Sequence, residues 1–291
     1  MLDGDIDWTP NIIRGDDIPY RLKEIPHPPK ALSYIGVLPD ENMKFLTVIG
    51  SRRHTAYGKE VAKKLIEGLR GLPVVIVSGL ALGMDGIAHE TALSVGLRTM
   101  AFPGSGLDRS VLYPRSHQNL AKRIVQSGGA LVSEFKLDQG ATMWTFPQRN
   151  RLMAGISDAV LIIEAEEKSG SLITTKLATD YNRTVLSVPG PIFSECSAGT
   201  NMLLRLGATP ITSVTDLRDA LGFAPENNSN IQTLEECSSE EKMILQILRE
   251  PMSRDELIRK IDLPITKTNT LISVMEIKGL IKEELGEMRR G

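Results

Sequence analysis

The chain is predicted to be an α/β protein: a doubly wound, mainly parallel sheet followed by a small domain of three helices and a hairpin. Three observations predict it. Between Phe45 and Ile211 short β-rich runs alternate with helical stretches, the pattern of a parallel sheet covered on both faces. From Gly222 to Ser239 the chain turns polar, with Pro225-Glu226-Asn227-Asn228-Ser229-Asn230 inside it, which is linker composition and places a linker at 223–238. The residues after it show three short helical patterns and two β-rich runs around Gly286, the make-up of a winged helix.

In chain order, strands are expected at Phe45–Ile49, Val74–Val77, Thr99–Phe102, Ala130–Val132, Ala159–Ile163, Val185–Val188 and Thr209–Ile211. Helices are expected at Tyr57–Leu69, Asp85–Ser94, Ser116–Gln126, Pro147–Gly155, Gly170–Tyr181, Asn201–Arg205 and Val214–Leu221. This makes residues 45–222 a Rossmann-like domain, whose ligands bind outside the carboxyl ends of the strands. Residues 1–44 carry Pro10, Pro19, Pro26, Pro28, Pro29 and Pro39. They read as a lead-in laid over the main domain, with Leu32–Ile35 adding an edge strand. The winged-helix-like module of 239–291 takes helices at Glu240–Arg249, Arg254–Lys260 and Ile265–Lys278 and a hairpin at Leu280–Glu284 and Glu287–Arg290.

Composition sets bounds. With 291 residues, 41% hydrophobic and 24% charged, the chain reads as an ordinary globular protein with one sizeable core and a second small one. No apolar run reaches the roughly 18 residues of a membrane span, and the acidic start is unlike a signal peptide, so no membrane role and a cytoplasmic location are expected. Cys196 and Cys237 stand apart from any Cys/His cluster, so they read as plain thiols and no metal is expected. A net charge of −2 argues against coating nucleic acid through bulk charge and leaves room for a local basic pocket.

The strand ends carry that pocket. Gly50-Ser51-Arg52 follows the first strand, Ser78-Gly79 to Asp85 the second and Pro103-Gly104 to Asp108 the third. A glycine there lets backbone approach a ligand, and an arginine grips a phosphate with two hydrogen bonds. Phe146-Pro147-Gln148-Arg149-Asn150-Arg151 joins an aromatic ring, a proline suited to a first helical position, two guanidiniums and an amide; Ser169-Gly170-Ser171 opens the next helix with hydroxyls and glycine. Helix starts offer unpaired N–H groups to an anion. Arg52, Arg53, His54, Arg109, Arg115, Arg149, Arg151, Lys168 and Lys176 are all placed on strand-to-helix connections at one edge. Asp85 and Glu134 are expected to cap helices or to orient these arginines. Phe146 is expected to stack on a base, with Trp144 supplying the apolar anchor.

Other chemistries lack their parts. Gly50-Ser51-Arg52 is followed by no glycine until Gly58 and the second strand ends in Ser78, so the GxGxxG dinucleotide fingerprint is missing, and there is no GxxxxGK[ST] loop. His54, His89 and His117 have no metal spacing.

In this order the motifs resemble the DNA-processing protein A family, also called Smf or DprA. The matching segments are Gly50-Ser51-Arg52, Ser78 to Asp85 with Ala88-His89, Gly104 to Asp108 with Tyr113-Pro114, Ser133-Glu134, Phe146 to Arg151, Ser169 to Thr174, Val188-Pro189-Gly190 and Gly199-Thr200-Asn201. The resemblance implies a single-stranded-DNA-binding recombination mediator that works as a homodimer and helps load the RecA recombinase on incoming DNA in natural transformation and competence. It implies no enzyme activity and no cofactor. The DNA-binding residues it points to, with the strand-end loops, are Gly50, Ser51, Arg52, Gly79, Phe146, Arg149, Asn150, Arg151, Ser169, Gly170 and Ser171. For the homodimer it points to the end of the Rossmann-like domain, where Met202, Leu203 and Leu206 supply apolar surface. Two departures stand out: no counterpart of the helical N-terminal domain many members carry, and Leu82 and Met84 where many members have Arg and Ile. A second reading, a nucleoside-monophosphate-cleaving Rossmann-like enzyme, would need a PGGxGT loop where Pro103-Gly104-Ser105-Gly106-Leu107 stands.

Overall fold

The computed structural model describes residues 7–223, 238–248, 252–261, 263–278, 280–284 and 286–290. The chain forms two compact units, 1–224 and 225–291. Cys237, Arg249, Gly279 and nearly all of the linker read at 223–238 lie outside the described residues.

The first unit is a nine-stranded sheet. In chain order its strands are β1 (Asn11–Arg14), β2 (Ala31–Gly36), β3 (Lys44–Ile49), β4 (Val74–Ser78), β5 (Arg98–Ala101), β6 (Ala130–Ser133), β7 (Ala159–Ile162), β8 (Thr184–Ser187) and β9 (Thr209–Pro210). They lie side by side as β1-β2-β6-β5-β4-β3-β7-β8-β9, all parallel except β1 and β2. Every strand expected from the sequence is present.

Helices on both faces explain the continuous apolar strands. All five residues of β4 are buried, as a strand covered twice must be. Its side chains alternate between two cores: Val74 and Ile76 join Leu46, Val48 and Leu161 under α2 (Ala56–Glu67) and α3 (Met84–Ser94). Val75 and Val77 join Phe45, Ile49 and Ile162 under α5 (Thr145–Ile156). α1 (Tyr20–Lys23), α4 (Gln118–Gln126), α6 (Ser171–Asp180), α7 (Glu195–Arg205) and α8 (Val214–Ala220) complete the unit.

Three expectations are corrected. Leu32–Ile35 does form a strand, yet β2 pairs with β6 on one side and β1 on the other, so the sheet edge is β1. β1 escaped notice because only two of its four residues are apolar and none is buried, which leaves no periodicity to read. The helix expected at Asn201–Arg205 begins at Glu195. Gly199 hid its first half, and a Cβ there would lie 2.8 Å from the Ala165 carbonyl oxygen; the glycine lets α7 press on the backbone beyond β7. Pro147 is the third residue of α5, not the first; it is tolerated because first-turn N–H groups have no helical partner.

The second unit has α9 (Ser239–Ile247), β10 (Met252–Ser253), α10 (Arg254–Lys260), α11 (Ile265–Ile277), β11 (Ile281–Glu284) and β12 (Glu287–Arg290). Ser238 and Glu241 close a capping box on α9, the reciprocal pairing that sets a helix start. The hairpin gains a third antiparallel strand, β10, which the sequence reading did not include. Ile244, Leu248, Leu257, Ile272, Met275 and Met288 form its own core.

Candidate nucleic-acid interface

Strand order reverses at β3, which pairs with β4 on one side and β7 on the other. At such a switch point neighbouring connections diverge to opposite faces and leave a crevice at the carboxyl ends. A cavity of about 520 Å³ lies there.

Four segments line it. After β3 come Gly50, Ser51, Arg52 and Arg53; after β4, Ala81, Leu82 and Asp85; before and along α5, Met143, Phe146, Pro147, Arg149, Asn150 and Met153; after β7, Glu166, Ser169, Gly170, Ser171, Ile173 and Thr174. Nine of the eleven residues selected from the sequence therefore meet in one place. Gly79 lies just beneath, and Arg151 is not brought in: it donates to the Glu134 carboxylate and to the His27 carbonyl at 2.9 Å. Burial pushes the Glu134 carboxyl up, with Arg151 pulling the other way.

Arg149 is the centre of the floor. It is buried, and its Nη1 donates to the carbonyls of Gly79 and Phe102 while Nε donates to Asn150 Oδ1 at 3.0 Å. Burial holds its guanidinium down to about 10, against the pull of Asp85. Asp85 accepts from the N–H groups of Gly79 (3.1 Å) and Ala81 (3.3 Å); burial raises its carboxyl and Arg149 lowers it. Asp85 and Glu134 thus serve different arginines and do not form a pair.

The glycines make room for the protein itself. A Cβ on Gly79 would lie 2.3 Å from Arg149 Nη1, and one on Gly104 2.6 Å from the Phe146 ring. Gly83, at φ +84°, would meet the Arg52 backbone at 2.5 Å. The close approach that the sequence assigns to a ligand belongs, in the second and third loops, to Arg149 and Phe146.

Arg52 and Arg53 are the exposed cations that line the cavity, and of the two Arg52 lies against the Phe146 ring. Its side chain is exposed and makes no hydrogen bond or ion pair among the described residues. Its guanidinium lies 5.3 Å from the centre of the Phe146 ring, with Arg149 at 6.0 Å and the Tyr113 ring edge-on at 6.1 Å. Beyond Phe146, the start of α6 faces the cavity, and the Ser169 and Ser171 hydroxyls lie 2.7 Å apart.

Apart from Arg53 and Arg149, which line the cavity, the other cations expected at this edge lie elsewhere. Arg109 stacks on Trp8 at 5.0 Å beside a separate hollow, His54 lines a groove with Lys59 and Lys63, and Arg115, Lys168 and Lys176 are absent from the cavity lining. Sequence reasoning missed Met143 and Ile173 as lining residues and named Leu82 as a departure from the family in the second loop. Met143 precedes a helix, where no periodicity marks it.

Comparisons with known proteins show the family. The family model for DNA recombination-mediator protein A matches residues 11–222. Protein Smf of Escherichia coli K12 is 41% identical over 63% of this chain and 50% of its own length, so the chain spans about half of that relative. Protein Smf of Synechocystis is 32% identical over 96% of this chain and 79% of its own. Among solved structures, DNA processing protein A from Streptococcus pneumoniae has a TM-score of 0.67 and 34% identity, covering 72% of this chain and 73% of that one. The Helicobacter pylori protein has a TM-score of 0.65 and 32% identity over 73% and 95%. This chain belongs to the DNA recombination-mediator protein A family, whose members also carry the names Smf and DprA.

Proposed function

We propose that the chain binds single-stranded DNA in the switch-point cavity, as a recombination mediator and not an enzyme, and helps load RecA on incoming DNA in natural transformation. The observation that carries this is the convergence of Gly50-Ser51-Arg52, Phe146, Asn150 and Ser169-Gly170-Ser171 on one cavity. It offers an exposed guanidinium, an aromatic ring and a helix start, the contacts a single strand uses. DNA processing protein A of Helicobacter pylori binds single-stranded DNA, which supports the reading. A cytoplasmic location goes with it; among the described residues no helix is long and apolar enough to cross a membrane.

The reading is tested by titrating single- and double-stranded oligonucleotides of equal length, with preference for the single strand expected. Arg52→Ala should weaken binding of every sequence alike, because Arg52 follows the Gly50-Ser51 turn, where it is placed for phosphates and not for base edges. Each lost phosphate contact on a single strand should also flatten the log–log salt dependence by about 0.7. An unchanged slope in the folded variant would remove Arg52 from the strand's path.

For residues 239–291 we keep the winged-helix reading, supported by the helix order and the added third strand. Its ten Lys+Arg against ten Asp+Glu over 238–291 suit protein contact better than a grip on duplex.

The homodimer reading narrows to one residue. Leu203 packs against the core and Met202 is half-buried, whereas Leu206 is 75% exposed. Leu206→Arg should shift light-scattering mass from dimer toward monomer with unchanged melting temperature; a dimer that persists would place the contact elsewhere.

A further inference from the structure

The mouth of the cavity is apolar where its floor is polar. Leu82, Met143 and Ile173 line it while remaining 48%, 74% and 45% exposed, and Trp144, next to Met143, is 76% exposed. Leaving a tryptophan in water forgoes one of the largest burial gains available to a side chain. Here the chain does so on a fixed support. Thr145 is buried; its hydroxyl accepts from the Thr142 N–H at 3.0 Å and donates to the Gly104 carbonyl at 2.6 Å, while its own N–H donates to the Thr142 carbonyl at 3.2 Å. The turn 142–145 is therefore pinned to the loop after β5, and Met143 and Trp144 are held outward by it.

We infer that Trp144 is a base-stacking platform for the nucleotides just outside the cavity, where the strand turns its phosphates toward Arg52 and the start of α6 and its bases onto the apolar rim. This rests on the single-strand reading above. The exposed guanidinium of Arg52 matches phosphate, and a flat indole matches any base, since every base has a π-face. One indole with one methionine is far smaller than the roughly 1,200 Å² that a stable protein contact buries, which favours a base over a second copy as the occupant. A duplex keeps its bases stacked inside and has none to offer, so the rim also selects for single strands.

The chain holds two tryptophans, Trp8 and Trp144, so Trp8→Phe leaves Trp144 as the sole indole reporter. Thymidine oligonucleotide should then quench its emission in step with binding, and an abasic strand of equal length should bind without quenching. Trp144→Ala should lower affinity for the thymidine strand about tenfold and leave affinity for the abasic strand unchanged. Binding without quenching, or an equal loss for both strands, overturns the platform while leaving the single-strand reading intact. Emission that depends on protein concentration without DNA assigns the indole to a second copy and overturns it as well. Failure of the unmodified chain to bind any single strand would remove both.

Discussion

Arg149→Met should lower the stability of the Rossmann-like unit by about 3–5 kcal/mol, the range for leaving a buried charge uncompensated, with two strand-end carbonyls losing their donor as well. The loss has two sources. Asp85 remains buried without its counter-charge, and the carbonyls of Gly79 and Phe102 lose the guanidinium that joins the ends of β4 and β5. At roughly 2–4 °C per kcal/mol for a unit of this size, melting should fall by about 10 °C.

The sign of the pH dependence identifies the cause. Burial raises the Asp85 carboxyl from its ordinary 3.8, and Arg149 is the largest influence lowering it; without Arg149 it rises further. A carboxyl whose folded pKa lies above its unfolded one binds its proton more tightly in the folded state. Its stabilising contribution is full below the unfolded pKa and is lost as pH rises through the folded one. The variant's deficit should therefore shrink as pH falls from neutral toward the ordinary carboxylate range, and adding Asp85→Asn should recover part of it at neutral pH. A deficit independent of pH and untouched by the second substitution would show that the two strand-end carbonyls alone carry the effect.

Arg149 also shows where sequence reading stops. The 100° helical step sets it on the buried stripe of α5 beside Leu152, Met153 and Ile156. Its partners were not legible, because Gly79 and Phe102 lie 70 and 47 residues away in the chain. Strand-end glycines look alike whether they admit a phosphate or a guanidinium; only the three-dimensional neighbour of the missing Cβ separates the two. The parallel strands were legible because burial on both faces leaves continuous apolar runs such as Val74–Val77. β1 and the first half of α7 were not, since their order comes from pairing and backbone contact and not from an apolar pattern. The cavity itself was legible in its β3, α5 and α6 segments, whose residue types differ from a solvated loop, and illegible in Met143 and Ile173, which differ from core residues only in exposure.

Phe146→Ala should reduce affinity for single strands about tenfold or more and destabilise the fold by about 1–3 kcal/mol. The sequence suggests a ring free to stack because Trp144 could anchor the helix; with Trp144 76% exposed, that anchor is Phe146 itself. Half-buried, its ring packs where Gly104 has no side chain and meets the edge of Tyr113, so its loss costs less than the roughly 3–5 kcal/mol of a fully buried phenylalanine. Losing the ring also frees Arg52 from a cation–π contact worth about 0.5–1 kcal/mol at an exposed site, which favours phosphate binding. The lost base stacking, about 1–3 kcal/mol, is larger, so affinity should still fall. Phe146→Leu separates the two roles: an aliphatic side chain of similar bulk should keep most of the stability, within about 1.5 kcal/mol, while offering no π-face to a base. If Phe146→Leu binds thymidine oligonucleotide as tightly as the unmodified chain, Phe146 belongs to the support of the cavity and the base contacts lie on its rim alone.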